Sequence, residues 1–239
     1  MEDKMKPIIG IIGYMAKLEE RTYIAIEETT RHSIILSGGL PIIVLPTQKI
    51  KYDRNISSSK VPRLTEEEKK DLERQIDMCD GILFPGGITW YEYHEYAFNY
   101  ALKKNKNILG ICLGMQIMAA TIAKKYNIEY KNIKTETEID HASLPSDQYC
   151  HEVILNKDSK LYSIIGQERF KVNSRHTLHI GETREFLITA HSTDNIPEAI
   201  EYPNKKFVIG VQWHPEKMIE TDEISKKIFN SFINSCKGD

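Results

Sequence analysis

With 239 residues, 41% hydrophobic and 28% charged side chains and a net charge of −2, the chain has apolar residues for a core and no basic excess. That balance lacks the electrostatic footprint of a nucleic-acid or anionic-lipid binder, so neither nucleic acid nor membrane is expected as a partner. Cys79, Cys112, Cys150 and Cys236 form no CxxC pair, and the eight histidines match no ligand spacing, so neither disulfides nor a metal is expected.

In chain order, the charges ahead of "PIIGIIGYM" superficially resemble a signal peptide. The β-branched residues, Gly10 and Gly13, and a charged continuation without a small-residue cleavage site point instead to a buried strand and a cytoplasmic protein. Residues 7–13 read as this strand, 21–39 as a helix closed by Gly38 and Gly39, and 40–46, bounded by prolines, as a second strand. The polar stretch 47–63 reads as a surface loop. Thr65 and Glu68 form a capping box ahead of a helix running to about Met78. A third strand and glycine turn follow over 80–87, then a helix over 91–107 whose aromatic residues read as packing surface and whose "EYHEY" charges read as a solvated face. Residues 108–112 are a fourth strand feeding a helix over 114–126. Beyond about residue 150 short strands and turns take over, closed by a helix over 221–236 with acidic residues in its first turn. The expected fold is α/β, a mostly parallel central sheet flanked by helices with antiparallel strands added in the C-terminal half, as a single domain over 1–239.

Three short motifs fall at strand ends. "GICLG" sets Cys112 between Gly110 and Gly114 where a strand gives way to a helix, the pattern of a nucleophile elbow. An elbow thiol stands at the carboxyl edge of the sheet beside free N–H groups at a helix N-terminus, which stabilise a thiolate and, from Leu113 foremost, a developing oxyanion. "VQWHPE" offers a base: in an extended segment His214 and Glu216 project to the same side, with Pro215 stiffening the backbone between them. "FPGG" presents an open backbone N–H from Gly86 or Gly87 as the second oxyanion donor. Each motif alone also fits a structural role: close packing, a polar strand end or a plain glycine turn.

Together and in this order, "FPGG", "GICLGMQ" and "VQWHPE" resemble the class I glutamine amidotransferase-like superfamily over essentially the whole chain. The resemblance implies a flavodoxin-like α/β fold and a Cys-His-Glu triad of Cys112, His214 and Glu216. It further implies an oxyanion hole from Leu113 and the Gly86 and Gly87 glycines, and Gln116 against a bound γ-glutamyl group. "KPIIGIIGY", "GGLPIIVLP" and "VNSRH" are similar to the γ-glutamyl hydrolase branch of cysteine peptidases, which includes γ-glutamyl-γ-aminobutyrate hydrolases. In that branch Asn173, Ser174 and His176 would line the substrate pocket. The implied activity is hydrolysis of a small-molecule γ-glutamyl amide through a thioester on Cys112, with no metal or organic cofactor. A homodimer is compatible with this reading. Two alternatives stay open: a glutaminase subunit supplying ammonia to a separate synthetase, and a non-catalytic protein that binds γ-glutamyl compounds.

Overall fold

Runs of four or five apolar residues set the frame. The computed structural model describes residues 5–51, 62–128, 133–135, 137–181 and 183–238. Its first half contains β1 (Ile8–Ile12), β2 (Tyr14–Leu18), β3 (Arg21–Ala25), α1 (Glu28–Leu36), β4 (Leu40–Val44), α2 (Glu66–Asp77), β5 (Gly81–Phe84), α3 (Glu92–Lys103), β6 (Asn107–Ile111) and α4 (Leu113–Lys125). The second half adds β7 (Ile133–Lys134), β8 (His151–Leu155), α5 (Lys160–Ile165), β9 (Arg169–Val172), β10 (Leu178–His179), β11 (Leu187–Ser192), β12 (Pro197–Glu201), β13 (Val208–Val211) and α6 (Glu223–Cys236).

Nine strands form one sheet in the order β4-β1-β5-β6-β13-β12-β11-β8-β9, while β2 pairs with β3 in a hairpin and β7 with β10 in a separate two-stranded sheet. The pairs from β4 to β13 are parallel. Those from β13 to β9 are antiparallel. The class is thus mixed α/β with a large central, mostly parallel sheet flanked by helices. Residues alternate between two cores, as strand geometry requires. Ile9, Ile11, Leu83, Leu109 and Val211 pack with Phe229 and Phe232 of α6. Ile82, Phe84 and Ile108 face the other way, with Leu72 of α2, Phe98 of α3 and Met118 of α4.

Three local expectations need correction. The span 21–39 is not all helix: its first five residues form β3, and α1 begins only at Glu28. Thr22, Tyr23 and Ile24 suit an extended chain, and antiparallel pairing with β2 supplies the hydrogen bonds a helix would have given. A short helix, α5, interrupts the strand-rich half because Ser159 accepts a bond from the Tyr162 N–H at 2.9 Å and Gly166 ends the turn at φ 77°. The "EYHEY" face is not solvated throughout, since Tyr93 and His94 are buried. His94 Nδ1 accepts from the Tyr91 N–H at 3.0 Å, a side-chain cap for α3, and burial pushes its imidazole down to about 3.

The capping box of α2 forms as read, with Glu68 N–H donating to Thr65 Oγ1 at 3.2 Å and Thr65 N–H to Glu68 Oε2 at 2.8 Å. Of the 47–63 loop, residues 52–61 lie outside the described residues. Its start is packed: Gln48 is buried, and Thr47 Oγ1 donates to the Glu68 carbonyl at 2.7 Å. Among the described residues no helix is long and apolar enough to cross a membrane.

Candidate active site

Strand order brings the three motifs side by side. β5, β6 and β13 are consecutive and parallel, with Phe84 opposite Gly110 and Ile111 opposite Val211. The segments that follow them, "PGG", Cys112 and "QWHPE", therefore leave the sheet together at its carboxyl edge, where α/β folds collect ligands. The Cys112 N–H donates to the Val211 carbonyl at 2.8 Å and locks the elbow to β13.

Cys112 adopts φ 49° and ψ −106° at the N-cap of α4, a conformation that costs a side-chain-bearing residue on the order of 1–3 kcal/mol. The turn packs closely because the residues two positions to either side, Gly110 and Gly114, carry no side chain. A Cβ on Gly114 would stand 2.1 Å from the Phe84 carbonyl oxygen, so α4 can sit against β5 only with glycine there. The elbow presents the thiol beside the first amide of α4, that of Leu113, which has no acceptor inside the helix.

His214 follows β13, and Glu216 lies in a short 3-10 turn, Pro215–Lys217. The pair meets around this turn rather than along an extended strand, because the fixed φ of Pro215 suits the first position of a helical turn. His214 Nδ1 lies 2.7 Å from Glu216 Oε1. Since a carboxylate only accepts, Nδ1 carries the proton and Nε2 is left for the thiol. Burial alone would lower the pKa of the imidazole, but the charges of Glu216 and Cys112, with hydrogen bonds to both, hold it well above its ordinary range. A Cβ on Gly86 would lie 2.8 Å from His214 Cε1 and 3.7 Å from Cys112 Cβ, so this bare backbone closes over the Cys-His pair.

A cleft of about 420 Å³ opens at the elbow, and Gly87, Cys112, Leu113, Gln116 and His176 line it. Gln116 Nε2 donates to the Leu178 carbonyl at 3.0 Å and to Gln212 Oε1 at 3.2 Å, which fixes the amide in the wall. Asn173 and Ser174 stand behind that wall, each 1% exposed. Asn173 Oδ1 accepts from the His214 N–H at 3.0 Å while its Nδ2 donates to the His214 carbonyl at 2.8 Å, gripping that backbone from both sides. Ser174 Oγ donates to the His141 carbonyl at 2.7 Å. His176 is buried, with its Nε2 turned toward Glu198.

Trp90 and Arg175 also line the cleft and were missed by the sequence reading. Arg175 is the unassigned position of "NSRH"; its exposed cation beside a cleft is the signal that the motif carried.

Comparison with known proteins agrees with this geometry. The model of the family Peptidase C26 matches residues 91–216, which contain the elbow and His-Pro-Glu. The glutamine amidotransferase-like protein YvdE of Lactococcus lactis is 36% identical over 192 residues, covering 70% of this chain and 79% of its own. The γ-glutamyl-γ-aminobutyrate hydrolase PuuD of Escherichia coli K12 is 27% identical over 265 residues, covering 99% of this chain and 96% of its own. Among solved structures, the glutaminase domain of Trypanosoma brucei CTPS superposes with a TM-score of 0.64 at 16% identity, over 96% of this chain and 93% of that one. The chain therefore belongs to the Peptidase C26 family, among the glutamine amidotransferase-like hydrolases.

Proposed function

We propose that the protein hydrolyses a γ-glutamyl amide through a thioester on Cys112, with Cys112, His214 and Glu216 acting as a triad. The observation that carries this reading is the His214 imidazole held between Glu216 Oε1 at 2.7 Å and the strained elbow cysteine. His214 takes the thiol proton and the thiolate adds to the γ-carbonyl carbon. The oxyanion that develops is met by the amides of Leu113 and of Gly86 or Gly87. Collapse breaks the C–N bond, and the proton on His214 passes to the leaving amine. Water then gives a proton to His214 and attacks the thioester, releasing glutamate and restoring the thiol. Glu216 fixes the tautomer and offsets the imidazolium charge in both halves of the cycle.

The cleft suits an amino-acid-sized ligand, being within the few hundred cubic ångströms usual for small-molecule sites. Arg175 at its rim supplies a guanidinium for a substrate carboxylate. The relative named γ-glutamyl-γ-aminobutyrate hydrolase aligns over nearly the full length of both chains, which supports a self-standing hydrolase.

The test is glutamate release, without any partner, from glutamine, γ-glutamyl-γ-aminobutyrate and γ-glutamyl dipeptides. The expected result is release from a γ-glutamyl amide other than glutamine, abolished in Cys112→Ala. Release from glutamine alone, and only when a synthetase is added, would replace this reading with an ammonia-supplying subunit. Tight binding of a γ-glutamyl compound without turnover would replace it with a binding protein.

A further inference from the structure

Behind the cleft wall, four side chains from four separate segments aim at one point. His141 lies in the loop before β8, His151 opens β8, His176 follows β9 and Glu198 is on β12. All four are buried, Glu198 completely. His141 Nδ1, His151 Nε2 and His176 Nε2 each lie 3.4 Å from Glu198 Oε1. Each of the four donor atoms is within 4.8 Å of every other. Those three nitrogens and both Glu198 oxygens have no hydrogen-bond partner among the described residues. Unpartnered polar atoms in so dry a place are costly, because nothing replaces the hydrogen bonds they lose from water.

The far side of each ring explains what the near side carries. His141 Nε2 contacts Asp194 Oδ2 at 3.0 Å, His176 Nδ1 the Leu178 carbonyl at 3.1 Å and His151 Nδ1 the Glu152 carbonyl at 3.4 Å. Carbonyls and carboxylates only accept, so these outward nitrogens hold the ring protons. The inward nitrogens then present lone pairs, and lone pairs face a carboxylate. Acceptors facing acceptors repel unless a proton or a metal cation lies between them. A second proton on His141, which lies between Asp194 and Glu198, would answer for one of the three inward nitrogens and leave His151 and His176.

We infer that these four residues form a closed binding site for a divalent transition-metal ion, zinc above all. For Zn–N and Zn–O bonds of about 2.0–2.1 Å a tetrahedron has edges of roughly 3.3–3.4 Å. The three His–Glu198 separations match that edge. Three imidazoles and one carboxylate are a borderline donor set that suits Zn2+ over Mg2+ or Ca2+. The charges of Glu198 and Asp194 offset a dication, and Asp194 is itself bonded by the Ser192 hydroxyl, the usual carboxylate-histidine support of a bound metal. With four buried protein ligands and no open position, the site is structural. It ties the His141 loop, β8, the Asn173–His176 segment and β12 into one wall. Asn173 of that segment grips His214. The Glu198 carbonyl accepts from Gln212, whose side chain holds Gln116. The expectation of no metal rested on spacing along the chain, and these ligands are joined only by the fold.

The decisive experiment measures metal in the full-length protein, purified without added metal and again after chelation and reloading with Zn2+ or Co2+. About one zinc per chain is expected, with tetrahedral Co2+ bands in the visible spectrum after exchange and a higher Tm in the loaded form. Metal content should fall tenfold or more in His151→Ala and in Glu198→Gln, while Asp194→Asn should weaken zinc affinity by about 10–100-fold. Cys112→Ala should retain the metal, which separates this site from adventitious zinc on the thiol. Failure of folded wild-type protein to take up Zn2+ or Co2+ would overturn the inference. So would unchanged stoichiometry in a folded ligand variant. Metal content is read without turnover, so this result and that of the hydrolase assay stand independently.

Discussion

The proposed nucleophile, Cys112, sits in a conformation that the protein maintains against local strain, φ 49°. Replacing its side chain removes the nucleophile without opening a large cavity, so Cys112→Ala should lose at least roughly 10⁴-fold in kcat with a nearly unchanged Tm. Glu216 belongs to the same chemistry through His214. With the imidazole pKa raised, its proton is bound more tightly in the folded state than in the unfolded one. The stability this contributes is complete below about pH 6.5 and is lost as pH rises through the raised folded value. The same ionisation sets the alkaline limb of kcat/KM, which should lie above the usual histidine range. In Glu216→Gln the larger of the two attractions that raise the imidazole is gone and that of Cys112 remains, so that limb should move to lower pH while kcat falls by roughly 10²–10⁴-fold. A pH-rate profile of both proteins checks this, and an unmoved limb would remove Glu216 from the role. Arg175→Ala should raise KM roughly tenfold or more with a smaller change in kcat, the signature of a group that binds substrate and transition state alike. Steady-state kinetics with a γ-glutamyl dipeptide would show it.

Elements enter through what they hold apart or together. β5, β6 and β13 deliver Gly86, Cys112 and His214 to one edge, and a side chain on Gly114 would push α4 off β5. Gly114→Ala should therefore destabilise the protein by about 1–3 kcal/mol or more, because its methyl meets backbone that has no rotamer to give. Denaturant unfolding would measure this. Asn173→Ala removes two bonds to the His214 backbone, and both kcat and Tm should drop while KM for a small γ-glutamyl substrate changes little. The elbow, the glycine turn and His-Pro-Glu were readable in the sequence because each is a local pattern whose residues act where the chain puts them. The aromatic residues of α3 read as packing surface, and Tyr93 is buried, but the burial of His94 was not legible. Charged neighbours on α3 masked that ring, and whether His94 meets solvent or caps its own helix depends on what packs over it. The β2–β3 hairpin was hidden for a similar reason, since residues 21–25 favour a strand only when β2 is there to pair with them.

On the scale of the whole molecule the parallel half, whose strands are near-continuous apolar runs, was legible. The antiparallel half was legible only as a class. Its strands bring His141, His151, His176 and Glu198 together from positions with no common spacing, so no linear motif records that cluster. Asn173 and Ser174 tell the same story: the resemblance set them at the substrate, whereas their side chains are engaged behind the cleft, on His214 and on the His141 carbonyl. The β6–β13 pairing joins the first half of the chain to the second and sets Cys112 beside His214, the proposed nucleophile and base. The central claim, that this junction forms a thioester, is tested most directly by intact-protein mass spectrometry. The enzyme is quenched in acid during turnover of a γ-glutamyl amide, and the adduct is mapped by digestion. One added γ-glutamyl group on Cys112, absent from Cys112→Ala, is the result the account predicts. Glutamate release by folded protein with no adduct on Cys112, or with turnover preserved in Cys112→Ala, would contradict it.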